Sequence, residues 1–386
     1  MPRSETQPIP VSTPTQHPQG PQGHPGAAAI ARSRVGDREL ARYVRMELAA
    51  FSPHYRRSFE AAGVRPRRVR GIEDLRAVEP VGPEDLGSDP DRFRLRVTPA
   101  GLREEWGFTA KLGLVAGGRR AFKNLLTAYS PVLEFREEVG EGPAVATTGA
   151  DLERMAEAGS RRLGELGLGP GKTLVLEGSS DSSLASWWVR LSGLRAACKL
   201  VPGGSDPLEA CVQSEAETLW TTVEGALALA RRARAEAPAL GRLEQVLVRG
   251  TGLDEEIRME IAEGLAAAGA RVRVGGVLVH TPTRTVLVES PFDPLTTGEG
   301  PGYPIPDRSL AVEVVEPGTG SPVQKESPGE LLLTPLFGRG TALIRFRAGL
   351  LPRRGLSWRT CPETNQARAF LPTNVEQPAT DTGSKT

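Results

Sequence analysis

Lysine is scarce in this chain. Lys111, Lys123, Lys172, Lys199, Lys325 and Lys385 are all there are, and arginine supplies the rest of the 48 basic residues. The skew fits a GC-rich genome and leaves few places for lysine-dependent chemistry. Cysteine is scarcer still: Cys198, Cys211 and Cys361 are odd in number and lack paired spacing, which excludes a disulfide scaffold and suits a reducing cytosol. No apolar run approaches the ~18 residues of a membrane span, and residues 1–29, rich in Pro, Gln and Gly, lack the apolar segment of a secretory signal. With a net charge of +1, the totals give no electrostatic ground for binding nucleic acid or an anionic membrane. There is no Gly-x-Ser-x-Gly elbow.

What is present describes a globular protein. The 386 residues suffice for one large domain or two ordinary ones, and 39% hydrophobic with 25% charged residues supplies a real core. Residues 1–35 and 371–386 read as disordered polar tails. Helical periodicity starts at Asp37, a fitting N-cap, and a second helix opens at Pro53 and closes at Gly63. "GIEDL" and "GPEDL" set cap-like turns, and a further helix is expected over 119–127. The region 36–149 is thus mainly helical.

From residue 150 to 300 strands and helices alternate with short links. "TLVLEG", "KLVPG", "TLWTT", "EQVLVRG" and "RVRVGGVLV" read as strands, with amphipathic helices between them, the pattern of a helix-covered parallel sheet. From 301 to 370 the helices stop, and "SLAVEVVEP", "GELLLTP" and "ALIRFRA" read as strands of a β-rich subdomain. The fold class is α/β.

Local motifs carry little chemistry alone. "GLGPGKT" (167–173) has Leu166 where a phosphate loop needs its first glycine, and it lies between a helix and a strand rather than the reverse. It reads as a helix-to-strand turn. "EGSSDSS" (177–183) follows a strand and opens a helix, so Ser179 and Ser180 are anion-site candidates, although N-capping needs the same residues. His280 stands apart from the other three histidines and is the one candidate general base, with packing as its plain alternative. No second histidine or nearby cysteine offers a metal set. Cys361 has no zinc-knuckle partner, and "ARRARAE" (230–236) is a solvated helix face.

Three longer stretches, taken in order, carry a resemblance: "SPHYRRSFEAAGVRPRRVRGIEDLRAVEPVGPEDL" (52–86), "KLGLVAGGRRAFKNLLTAYSPV" (111–132) and "VVEPGTGSPVQKESPGELLLTPLFGRGTALIRFRAGLLP" (314–352). Together with "TCPETNQAR" they resemble the phenylacetate-CoA ligase branch of the adenylate-forming superfamily over about residues 38–370. The resemblance implies the family's large N-terminal domain, with helix-covered parallel sheets and a β subdomain. It also implies a reaction in which a carboxylic acid attacks the α-phosphate of ATP and CoA then displaces AMP. That chemistry needs Mg²⁺, anion-binding amides, a carboxylate on the ribose and a lysine.

The departures fall on the nucleotide site that the resemblance implies. The Ser/Thr-Gly-rich phosphate loop is replaced by "LEFREEVGEG" (133–142), in which Gly140 remains beside Glu137, Glu138 and Glu141. The segment that holds the adenine-stacking aromatic and a glutamate near Mg²⁺ falls on Gly276 to His280. The ribose-binding aspartate that follows an Arg-rich strand falls on Leu350, with Arg347 preceding it, a loss of ~2–3 kcal/mol of binding. The family's mobile C-terminal domain is expected to be missing, and Lys385, the only lysine beyond Arg347, is a poor candidate for the catalytic lysine. The expectation is an inactive homologue, cytoplasmic, with no cofactor and no metal, acting as a binding or regulatory partner of an active ligase or another pathway protein. The rival readings are a divergent ligase using ATP, Mg²⁺ and CoA, and an aryl-acid sensor.

Overall fold

The computed structural model describes residues 30–31, 34–104, 106, 108–136, 142–178, 182–250, 253–290, 302–324, 326–361, 363–373 and 375–376. After a two-residue strand β1 (Ile30–Ala31), helix α1 (Arg34–Tyr43) begins three residues before the expected cap. Asp37 therefore lies in its first turn, where a carboxylate complements the helix dipole. A wider turn over Val44–Leu48 leads into α2 (Ala49–Phe51). Ser52 caps α3 (Pro53–Ala61): its Oγ accepts from Tyr55 N at 3.2 Å, Pro53 occupies the first turn, and Gly63 at φ +65° ends the segment. Helices α4 (Pro83–Ser88) and α5 (Pro99–Glu104) follow. Then α6 (Phe108–Ala116) and α7 (Gly118–Ala128) meet at Gly117, leaving Leu112, Val115, Phe122 and Leu126 exposed. Strands β2 (Pro131–Phe135) and β3 (Val145–Thr148) form an antiparallel pair that the helical reading of this region does not include.

Helix α8 (Gly149–Glu165) leads into the alternating core: β4 (Thr173–Leu176), α9 (Leu184–Arg195), β5 (Lys199–Pro202), α10 (Pro207–Ser214), β6 (Thr218–Thr222), α11 (Val223–Glu236), β7 (Gln245–Arg249), α12 (Glu255–Ala266) and β8 (Arg273–His280). These strands are parallel, in the order β5-β4-β6-β7-β8, and an antiparallel strand β9 (Thr285–Val288) closes the edge. Side chains alternate between two cores, as strand geometry requires. Val175, Leu219, Val246 and Val248 face Ile261 and Leu229, while Leu174, Trp220 and Leu247 face Leu163 and Trp188, with the two tryptophan rings stacked at 5.8 Å. The "GLGPGKT" segment is the expected helix-to-strand turn, with Gly167 and Gly171 at φ +80° and +81°. Ser183 caps α9, its Oγ accepting from Ser186 N.

The β subdomain comprises β10 (Gly302–Pro304), β11 (Leu310–Val315), β12 (Glu330–Pro335), β13 (Phe346–Arg347), β14 (Leu351–Pro352), β15 (Ser357–Thr360), β16 (Ala367–Pro372) and β17 (Val375–Glu376). They form small antiparallel sheets, among them β1-β11-β12-β13 and β10-β16-β15. Strands β1, β16 and β17 run past the tail boundaries expected at 35 and 370; the remaining tail residues lie outside the described residues.

One expected strand is corrected. "ALIRFRA" pairs only at Phe346 and Arg347, because Arg345 takes φ +48° and turns its side chain into the interior. There its Nε donates to Glu313 at 3.1 Å, and its terminal nitrogens donate to the carbonyls of Arg76, Val78 and Gly320. Among the described residues, no helix is long and apolar enough to cross a membrane.

Candidate functional site

Described elements next to the three departing segments come together: β3, the loop before β13 and the β8–β9 turn. The end of β3 is sewn to the loop before β13: Thr341 N donates to Ala146 O at 2.8 Å, and Ala146 N donates to Thr341 Oγ1 at 3.0 Å. A Cβ on Gly340 would collide with Ala146 O, so only glycine allows this approach. Asp151, in the first turn of α8, is 2% exposed and accepts from Thr148 N, Arg339 N and Gly340 N at 2.8–2.9 Å, while Thr148 caps the helix in return. The β8–β9 turn enters the same junction. Its Arg284, at φ +52° and buried, donates to Ala146 O at 3.1 Å and Thr341 O at 2.7 Å. Neither residue is foreseen as a site residue. For Asp151 a signal exists, since a hydroxyl residue, Thr148, followed three positions on by an acid is the spacing of a capping box; for Arg284 the turn sequence gives none.

Gly276, the position matched to the adenine-stacking aromatic, lies inside β8. Its amide donates to Glu289 Oε2 at 2.5 Å, and that carboxylate also accepts from Arg258 Nη2 at 2.8 Å. A Cβ here would meet Tyr303 Oη at 2.7 Å and Glu289 Oε2 at 3.0 Å. Both neighbours are buried, so the space a stacking ring would need to leave the strand is filled. Burial pushes the Glu289 carboxyl above its usual range, opposed by the Arg258 guanidinium and the Gly276 amide.

His280 ends β8, opposite Thr285. It is 8% exposed, with Nδ1 2.7 Å from Thr283 Oγ1, its ring centroid 5.6 Å from that of Phe346, and a hydrogen bond to the Ala348 backbone. Burial lowers its pKa to about 4, so the ring is neutral at pH 7. It is a packed histidine that joins β8 to the 346–348 segment, placed among apolar and hydroxyl groups. Arg347 donates to Gly318 O at 3.2 Å and pairs with Glu330. Leu350 is 5% exposed and packs with Leu287, Tyr303, Leu331 and Leu356; its carbonyl accepts from Leu331 N. Gly140, Ser179 and Ser180, with Glu137, Glu138 and Glu141, lie outside the described residues.

Position 280, where the resemblance implies a glutamate near Mg²⁺, does not fit that ion: a hard cation takes oxygen ligands, and the side chain there is a buried imidazole. Among the described residues no group of three or more His, Cys, Asp or Glu could hold a metal ion.

No family model matches the chain. Phenylacetate-coenzyme A ligase of Thermus thermophilus is 26% identical over 321 residues, which cover 81% of this chain and 64% of that protein, so the chain spans just under two thirds of its relative's length. Among solved structures, an open conformation of 2-hydroxyisobutyryl-CoA ligase in complex with 2-HIB-AMP and CoA matches with TM-score 0.63 at 18% identity, covering 90% of this chain and 69% of that one. The same ligase in its thioesterification state matches with TM-score 0.62 at 18% identity, covering 88% and 66%. In sequence the chain is a homologue of phenylacetate-CoA ligase, and its fold is that of the adenylate-forming CoA ligases.

Proposed function

We propose that this protein is a phenylacetate-CoA ligase-like chain that does not carry out ATP-dependent adenylation, and that it acts as a binding or regulatory partner of an active ligase or of another protein in its pathway. The observation that carries this reading is the packing at Gly276, where a side chain would collide with Tyr303 and Glu289. Two more support it. Position 350 is a core leucine where the resemblance calls for a ribose-binding carboxylate, and position 280 is a buried neutral histidine where it calls for a glutamate near Mg²⁺. Each change removes a different contact to nucleotide, and the surrounding side chains have closed over all three positions.

The partner half of the reading draws on α6 and α7. Their exposed Leu112, Val115, Phe122 and Leu126 lie among Lys111, Arg119, Arg120 and Lys123, and no acidic residue occurs from 106 to 133. An apolar face with a wholly cationic rim fits a partner protein with an acidic surface.

Adenylation is reversible, so the direct test is acid-dependent exchange of labelled pyrophosphate into ATP, with phenylacetate and with 2-hydroxyisobutyrate. The reading predicts exchange at the protein-free blank. Exchange above blank that depends on either acid overturns it.

A further inference from the structure

A cavity of about 370 Å³ lies between α8, β9, the stretch from Pro304 to Leu310 and the start of β16. It borders the junction above and shares Thr283, Arg284 and Thr285 of the β8–β9 hairpin with it. Its lining combines apolar side chains, Met155, Trp188, Val286, Val288, Leu310 and Phe337, with five arginines.

Arg284 is 6% exposed, bonds two carbonyls, has no partner at Nε, and pairs with no carboxylate among the described residues. A buried guanidinium without a counter-ion is costly, and a bound anion removes that cost. Arg308, exposed at the same cavity, makes no ion pair among the described residues. The other lining arginines are already matched. Arg161 pairs with Glu157, Arg368 with Glu165, and Arg162 with Glu165 and Glu363. Five lining guanidiniums thus stand against four carboxylates, Glu165 and Asp307 in the lining and Glu157 and Glu363 paired from behind, an excess of one positive charge.

We propose that this cavity binds a small organic monoanion, a carboxylate with an apolar body, with its head toward Arg284 and Arg308 and its body against the apolar side chains of the lining. The single excess charge favours a monoanion over a phosphate dianion. The volume is at the lower end of the ~300–1,000 Å³ of ligand pockets, which suits a small molecule. Guanidinium is the side chain suited to a carboxylate fork. The proposal goes beyond the reading above because it requires no nucleotide.

Calorimetric titration of the full chain without nucleotide tests it, using hexanoate and benzoate, their neutral amides, and inorganic phosphate. The expected result is saturable binding of at least one acid, with its amide and phosphate at least tenfold weaker. Arg284 ties β3 to the 341 loop, so the variants avoid it. Arg308→Glu should weaken binding at least tenfold, and Ala158→Phe, which fills the cavity from α8, should abolish it, with both variants melting as the parent does. No saturable binding of either acid at millimolar concentration overturns the proposal. So does equal binding of amide or phosphate, undiminished binding by Arg308→Glu, or binding that appears only with Mg-ATP.

Discussion

At Gly276 a single missing methyl group is a packing requirement. Tyr303 belongs to a buried cluster with Leu287, Ile305 and Leu310, so its hydroxyl cannot withdraw freely from a new Cβ 2.7 Å away. Gly276→Ala should therefore cost about 1–3 kcal/mol, as overpacked cores do, read from urea unfolding. Equal stability would mean that β8 has slack. His280 gives a second residue-scale expectation. Its folded pKa of about 4 lies below the ordinary value of 6.5, so the unfolded chain takes up the proton first. Its contribution is complete above pH 6.5 and is lost as pH falls toward 4, about 3 kcal/mol at 1.36 kcal/mol per unit. His54, also lowered to about 4, acts with the same sign but is only partly buried and is screened by solvent. The buried Glu289 and Glu313 carboxyls, raised chiefly by burial, act in the opposite sense, their contribution being lost as pH rises through their folded pKa. The clean reading is thus a difference: His280→Gln should lose less stability than the parent between pH 6.5 and 4. Parallel curves would contradict the assignment.

Two elements meet through buried charge. Asp151 completes the capping box of α8 by accepting from Thr148 N and holds two amides of the 339–340 loop, so Asp151→Ala removes three charge-assisted hydrogen bonds together. About 2–4 kcal/mol should go, measured by denaturant midpoint, with Asp151→Asn intermediate. Arg345→Met strands Glu313, which is 2% exposed, and should cost about 3–5 kcal/mol. Adding Glu313→Leu should recover much of that loss, and no recovery would mean that the carbonyl contacts of Arg345 matter more than the pair. These elements also show what the sequence made legible. "TLWTT" is β6 to the residue, because a short apolar run between a helix end and a new cap has one reading. Ser183 caps α9 as a hydroxyl before an apolar helix should. The strand over 342–348 fails because alternation marks which side chains are polar and not that a polar one, Arg345, is turned inward onto Glu313. Strand β9 is missed because its hairpin turns through Thr281–Arg284 without the Gly or Asn that announces such turns.

On the scale of the molecule, a two-faced parallel sheet and an antiparallel subdomain retain the ligase fold, while Gly276, His280 and Leu350 are each packed over by neighbouring side chains. The likeness to phenylacetate-CoA ligase and the fold class were legible because apolar periodicity and motif order run through most of the chain. The closure at Gly276 was not, since glycine in a strand says nothing of Tyr303, 27 residues further on, standing over it. Thermal unfolding of the full chain with and without millimolar Mg-ATP, against Mg²⁺ alone, tests the closure over these three positions most directly. A ligand at 100 times its dissociation constant adds about 2.7 kcal/mol to the folded state. A cooperative melt whose midpoint is the same with ATP as with Mg²⁺ alone is the predicted result; a midpoint that rises with ATP concentration would show that nucleotide binds and would contradict the account.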